Sequence, residues 1–146
     1  MVRDGQTIEI NTGDIRVGEI VALTSEDTIP SDIVIISTTN QDNKCYVETA
    51  QLDGETNMKP KFGKSVTQYL NDPEKLTSFR GGIKCNGPDR ELHKFDATLT
   101  FKNEKNEDIE EILGYDNLIL KGCVLKNPHL LYGTREVKAR LCLTLL

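Results

Sequence analysis

The sequence predicts a mainly β protein, an antiparallel sandwich or barrel. Three observations lead there. Short runs rich in β-branched residues recur about 10–12 residues apart. Clusters of Gly, Pro, Asp, Asn and Ser separate them. Aromatics make up only 5% of the chain and tryptophan is absent, so Val, Ile and Leu must fill the core.

The elements follow in order. Gln6 to Ile10 alternates polar and apolar, as a half-buried strand should. Gly18 to Leu23 and Asp32 to Ser37 are β-branched runs bounded by breakers, and Cys45 to Thr49 continues the pattern. "TIPSD", Thr28 to Asp32, reads as a structural turn, because proline pre-sets its dihedral and aspartate can bond the backbone nearby. Ser65 to Phe79 holds one or two short helices, with Asp72 as N-cap and Pro73 at the first helical position. Strand character returns at "IKCN" and at Leu92 to Phe101. Lys102 to Ile112 is highly charged and reads as an exposed loop with one helical turn. Asn117 to Asn127 is strand-like, broken at Gly122 by a bulge or bend. The closing "ARLCLTLL" fits a buried strand or a helix, since eight residues do not settle a period.

The 146 residues suffice for one domain with a real core, and neither a repeat nor a linker divides 1–146. A net charge of −5 argues against a nucleic-acid partner, which needs a basic face. The sequence contains no apolar run long enough to span a bilayer, and its first residues lack a signal-peptide core. Cys45, Cys85, Cys123 and Cys142 lie far apart with only His93 and His129 for company, so no metal site is expected. Free thiols in a reducing, cytosolic setting fit that usage, each cysteine being a small core residue.

Two motifs bear on chemistry. "FGKS", Phe62 to Ser65, hints at a phosphate loop, but Met58 stands where that pattern needs glycine, leaving Lys64 as an exposed lysine. "DGET", Asp53 to Thr56, is by composition an acidic turn, because glycine accepts positive φ cheaply. Its second meaning is chemical. A glutamate beside glycine rides on a narrow loop and can orient and deprotonate a water. It is a weak base until desolvated, and no histidine, serine nucleophile or metal cluster accompanies it. If Glu55 is catalytic, the other half of the site lies elsewhere.

"VGEIVAL", "DTIPSDIVIIST", "CYVETAQLDGETNMKPK" and "NLILKGCVLKN" follow one another in an order and spacing that resemble the actuator domain of type IV P-type ATPases, the phospholipid flippases. The likeness covers about residues 2–133. Cation pumps usually carry T-G-E-S at the loop, whereas this chain has the flippase form at Asp53, Gly54, Glu55 and Thr56. The resemblance implies a distorted jelly-roll-like β-sandwich with small helical insertions. It implies that Glu55 activates the water that hydrolyses an aspartyl phosphate on a separate phosphorylation domain. Gly54 would permit close approach, while Asp53 and Thr56 shape and anchor the loop. It further implies a nucleotide-binding domain in the same longer chain, ATP and magnesium used by the full-length protein but no cofactor bound by this fragment, a phospholipid substrate and a membrane accessory subunit. The place is then cytosolic, between the second and third membrane helices, and the fragment alone is inactive.

The chain departs from the family pattern at Glu19, where Asp is common, at Ser31, where Ala is common, and at Thr12, where tryptophan is frequent. After Gly133 the family's usual ending is not found, so 134–146 stays unassigned. A helical part of the family's domain is also missing, which predicts an exposed apolar patch. Two other readings remain open: the actuator domain of a cation-transporting P-type ATPase, and a non-catalytic β-sandwich interaction module.

Overall fold

A computed structural model describes residues 1–85, 91, 93–135 and, as backbone alone, Cys142–Leu145. The strands in chain order are β1 (Val2–Arg3), β2 (Gln6–Thr7), β3 (Ile20–Thr24), β4 (Ile33–Thr38), β5 (Lys44–Glu48), β6 (Lys59–Phe62), β7 (Gly81–Cys85), β8 (Ala97–Lys102), β9 (Asp108–Leu113), β10 (Leu118–Ile119), β11 (Val124–Lys126), β12 (Leu130–Arg135) and β13 (Cys142–Leu145). Two short helices, α1 (Ala50–Asp53) and α2 (Pro73–Ser78), and three 3-10 turns complete the set. The protein is mainly β with small helical insertions, as expected, and its main sheets are antiparallel throughout.

The first main sheet has the order β10-β4-β12-β3. Every residue of β4 is buried, which is why Ile33 to Ile36 read as an unbroken apolar run and not an alternating one. Gly133 lies where β12 crowds β4. A Cβ there would collide with Ile33 Cγ2, and the pairing register shifts between Tyr132 and Gly133. The second sheet, β11-β5-β6, carries the D-G-E-T segment between β5 and β6. The bend at Gly122, with φ of 88°, takes the chain from β10 in the first sheet to β11 in the second. The third sheet is β13-β7-β8-β9. One apolar cluster joins them, with Val21, Ile35, Val47, Leu99, Leu113 and Leu125 among its buried members.

Several expectations needed correction. Residues 102–112 are not a loop with a helical turn. They form the β8–β9 hairpin, closed by a turn in which Asn106 takes φ of 61° and the Asn103 side chain accepts from the Lys105 and Glu107 N–H groups. β9 is an edge strand, and a charged edge discourages stray pairing, so high charge did not mean loop. β6 was not foreseen, because Pro60 reads as a breaker; β6 is also an edge strand, where proline is tolerated. Lys64 is half-buried, not exposed, with its amine 3.7 Å from Glu111. The strand expected over Gln6 to Ile10 is confined to Gln6–Thr7, paired with β1 across a hairpin at Asp4 and Gly5. Beyond it Ile8 exchanges backbone bonds with Met1, and Glu9 and Ile10 lie outside any strand. Asp32 accepts a bond from the backbone of Lys121, far along the chain, and not from a close neighbour.

The cap of α2 and the strand character of the closing run agree with expectation. The Asp72 carboxylate caps α2 by accepting from the Lys75 N–H at 3.0 Å. Cys45 and Cys123 are buried in the core as expected, whereas Cys85 is only half-buried against it. The closing run is a strand at Cys142–Leu145, paired with β7. Asn86, Leu92 and the rest of the tail lie outside the described residues. Among the described residues, the exposed large apolar side chains are Ile8, Leu52, Met58, Phe62 and Ile112. Among the described residues, no helix is long and apolar enough to cross a membrane.

Candidate functional site

β5 ends at Glu48, and the chain then makes a single helical turn, α1. Gly54 closes that turn in the left-handed region, with φ of 74° and its N–H donating to the Ala50 carbonyl. The expected acidic turn is therefore a helix C-terminus followed by a loop back to β6. Because β5 and β6 are antiparallel neighbours, paired from Lys44↔Phe62 to Val47↔Lys59, both stems of the loop are fixed by the sheet.

Asp53 is the organising residue. Its carboxylate accepts from the Thr49 hydroxyl at 2.9 and 3.1 Å, from the Glu55 N–H at 3.0 Å and from Lys59 Nζ at 2.7 Å. The Lys59 hydrogen bond, then those from Glu55 and Thr49, hold its pKa down to about 2. Lys59 reaches onward, with Nζ 2.8 Å from Glu55 Oε2. Its own pKa is raised, first by the bond to Asp53 and then by that to Glu55. The Glu55 side chain remains 58% exposed at the loop tip. A Cβ added at Gly54 would meet nothing within 4 Å, so the tip is open on that side. Thr56 is exposed and stands outside the Asp53 network.

The arrangement brings Asp53, Gly54 and Glu55 into one constellation and adds Thr49 and Lys59, which sequence reasoning did not single out. The four-residue spacing of Glu55 and Lys59 was a usable signal for an ion pair, and Thr49 carried none. Chemically, the tip offers an exposed carboxylate, ordered by an ammonium and by a carboxylate that is itself fully bonded. Among the described residues, no group of three or more His, Cys, Asp or Glu side chains converges to hold a metal ion.

Behind the loop, Lys61 is buried although it carries an amine. Nζ donates to the Tyr115 carbonyl at 2.7 Å and lies 3.4 Å from the centre of the Tyr115 ring. Burial lowers its pKa to about 8, with Asp116 the main opposing influence. The Tyr115–Asn117 turn also grips β6 through Asn117 Nδ2, which donates to the Phe62 carbonyl at 2.8 Å. The Asn117 side-chain oxygen accepts from the Gly114 N–H at 3.0 Å, closing the turn on itself.

Residues 1–130 match the model of the P-type ATPase actuator domain. The chain is 40% identical over 134 residues to the phospholipid-transporting ATPase IC of Mus musculus, covering 91% of this chain and 10% of that protein. It is 37% identical over 134 residues to its Homo sapiens counterpart, again covering 91% of this chain and 10% of the relative. The phospholipid-transporting ATPase tat-1 of Caenorhabditis elegans is 32% identical over 130 residues, 89% of this chain and 11% of that protein. The chain thus spans about a tenth of the length of the curated relatives it matches. The resemblance seen in the four sequence blocks is borne out, and the chain belongs to the P-type ATPase actuator domain family, beside relatives that are phospholipid-transporting ATPases.

Proposed function

We propose that this chain is the actuator domain of a phospholipid-translocating P-type ATPase and that Glu55 activates the water that ends the phosphorylated state. The observation that supports it is the placement of Glu55: an exposed carboxylate on a loop tip whose two stems belong to one sheet. An acyl phosphate is already activated, so its hydrolysis asks for an aimed water and a base, not a further nucleophile. Water oxygen attacks phosphorus, the bond between phosphorus and the aspartyl oxygen breaks, and the water proton passes to Glu55. Aspartate and inorganic phosphate result. Docking against the phosphorylation domain excludes solvent around Glu55 and strengthens it as a base. Asp53 and Gly54 shape the loop, and Thr56 lies at its outer side for contact with the docked domain.

In this reading residues 1–146 form a single cytosolic domain of an integral membrane protein. The phosphorylation and nucleotide-binding domains of the same longer chain handle ATP and magnesium. Dephosphorylation is coupled to moving a phospholipid toward the cytosolic leaflet, with a membrane accessory subunit. The fragment alone neither hydrolyses ATP nor moves lipid.

The test uses the full-length protein with Glu55→Gln. Phosphoenzyme should form normally and decay on the order of 10²- to 10⁴-fold more slowly. Decay at the unaltered rate would show that Glu55 is not the base. Stimulation of ATP hydrolysis by phospholipid, and not by a cation, is the matching result for the transported substrate.

A further inference from the structure

We infer that Lys59 is the positioning residue of the loop: its ammonium aims the Glu55 carboxylate and offsets the negative charge that an anionic phosphoryl group would otherwise meet. This rests on the reading of Glu55 as the base. The geometry supports it in three ways.

First, one ammonium touches both carboxylates, Asp53 Oδ2 at 2.7 Å and Glu55 Oε2 at 2.8 Å. Asp53 is held in turn by Thr49 and by the Glu55 N–H, so Lys59 is tied to a fixed anchor and Glu55 is tied to Lys59. A glutamate side chain 58% exposed at a loop tip has little packing to choose its rotamer. The ion pair supplies that choice.

Second, Lys59 is the first residue of β6, so its backbone is set by pairing with Val47. The aim of Glu55 is thereby referred to the sheet and not to the loop. A base within reach of a water must be placed to a fraction of an ångström for effective attack, and small misplacements cost on the order of 10²-fold.

Third, the charges balance in a useful sense. Asp53 and Glu55 alone would present two negative charges to an anionic phosphoryl group, and Lys59 leaves the trio with one. Inside a docked, water-poor interface, like-charge approach is far more costly than in water.

The experiment follows phosphoenzyme decay in the full-length transporter. Lys59→Met keeps the apolar stem and removes the charge, and Lys59→Arg restores the charge. Phosphoenzyme formed from ATP reports that each variant is folded, and Lys59→Gln serves if the methionine variant forms none. We expect formation at the normal level, decay slowed on the order of 10- to 100-fold in Lys59→Met, and recovery to within about threefold in Lys59→Arg. Normal decay in Lys59→Met while Glu55→Gln is arrested would overturn the role of Lys59 and leave the base intact. Arginine failing as badly as methionine would equally overturn it, since charge would not be what matters. Normal decay in Glu55→Gln would instead remove the base reading on which the inference stands.

Discussion

Lys59 and Lys61 are two residues apart on β6, so the pleat puts them on the same face. They nevertheless live in opposite environments. Lys59 emerges at the open end of the strand, meets two carboxylates, and has its pKa raised. Lys61 lies one step further into the sheet, beneath the Tyr115 turn, and meets a carbonyl and a ring face instead of a carboxylate. Its pKa falls to about 8 because burial outweighs the attraction of Asp116. The difference teaches what sets the fate of a lysine here. Residue type and facing are shared, so only depth and partner distinguish an ordering charge from a buried anchor.

The sharpest break of the comparison reverses the buried charge. Lys61→Glu would set a carboxylate against the Tyr115 carbonyl with no donor in place, and should destabilise the domain by about 3–5 kcal/mol in urea unfolding. Less drastic is Lys61→Met. The Tyr115 carbonyl keeps the Leu118 N–H as a donor, so stability at pH 7 should change by no more than about 1 kcal/mol. The pH dependence is the better readout. The unfolded lysine titrates at 10.5 and the folded one at about 8, so in between the unfolded chain binds the extra proton. Stability contributed by this residue therefore rises with pH across that window, by at most about 1.4 kcal/mol per unit. Buried Cys45, held up at about 12, together with Cys123 and Tyr115, whose values are also raised, works in the opposite sense at higher pH. The wild type minus Lys61→Met difference, measured from pH 7.5 to 9 by urea melts, isolates the lysine. A flat difference would mean that Lys61 is not desolvated in solution.

On the outer side, effects on stability should be smaller. Asp53, lowered from 3.8 to about 2, contributes stability that is present above the unfolded value and lost as pH falls toward 2. Asp53→Asn should lower the melting temperature slightly at neutral pH and converge with the wild type as pH falls toward 2, which flattens the acid limb in that window. Lys59→Met should shift the melting temperature least of all, because exposed ion pairs add little to stability. A large loss there would make Lys59 a structural residue and erase the contrast with Lys61.

Much of this was legible in advance where a signal is local. The Ile33–Ile36 run, the Asp72 cap and the turn value of Gly54 are each carried by a few adjacent residues, and each held. Glu55 could be singled out because its loop resembles a known one. What escaped depends on residues far apart. Lys61 is buried by Tyr115, 54 positions away, and no nearby residue announces it. β6 was hidden by Pro60, whose tolerance depends on being at a sheet edge. β9 was hidden by its charges for the same reason. Edge position is a property of the assembled sheet, so neither strand could be told from a loop by composition.

Gly54 carries a last consequence. Its demand is one of handedness and not of room: the torsion disfavours an L side chain, while the space an L-alanine methyl would occupy is empty. Mirror-image chemistry can separate those two demands. A D-alanine accepts the positive torsion that an L-alanine resists, so the torsion no longer opposes a side chain there. If a transporter with D-alanine at that position folded yet failed to dephosphorylate, the bareness of the tip would belong to the surface it meets and not to the chain that forms it.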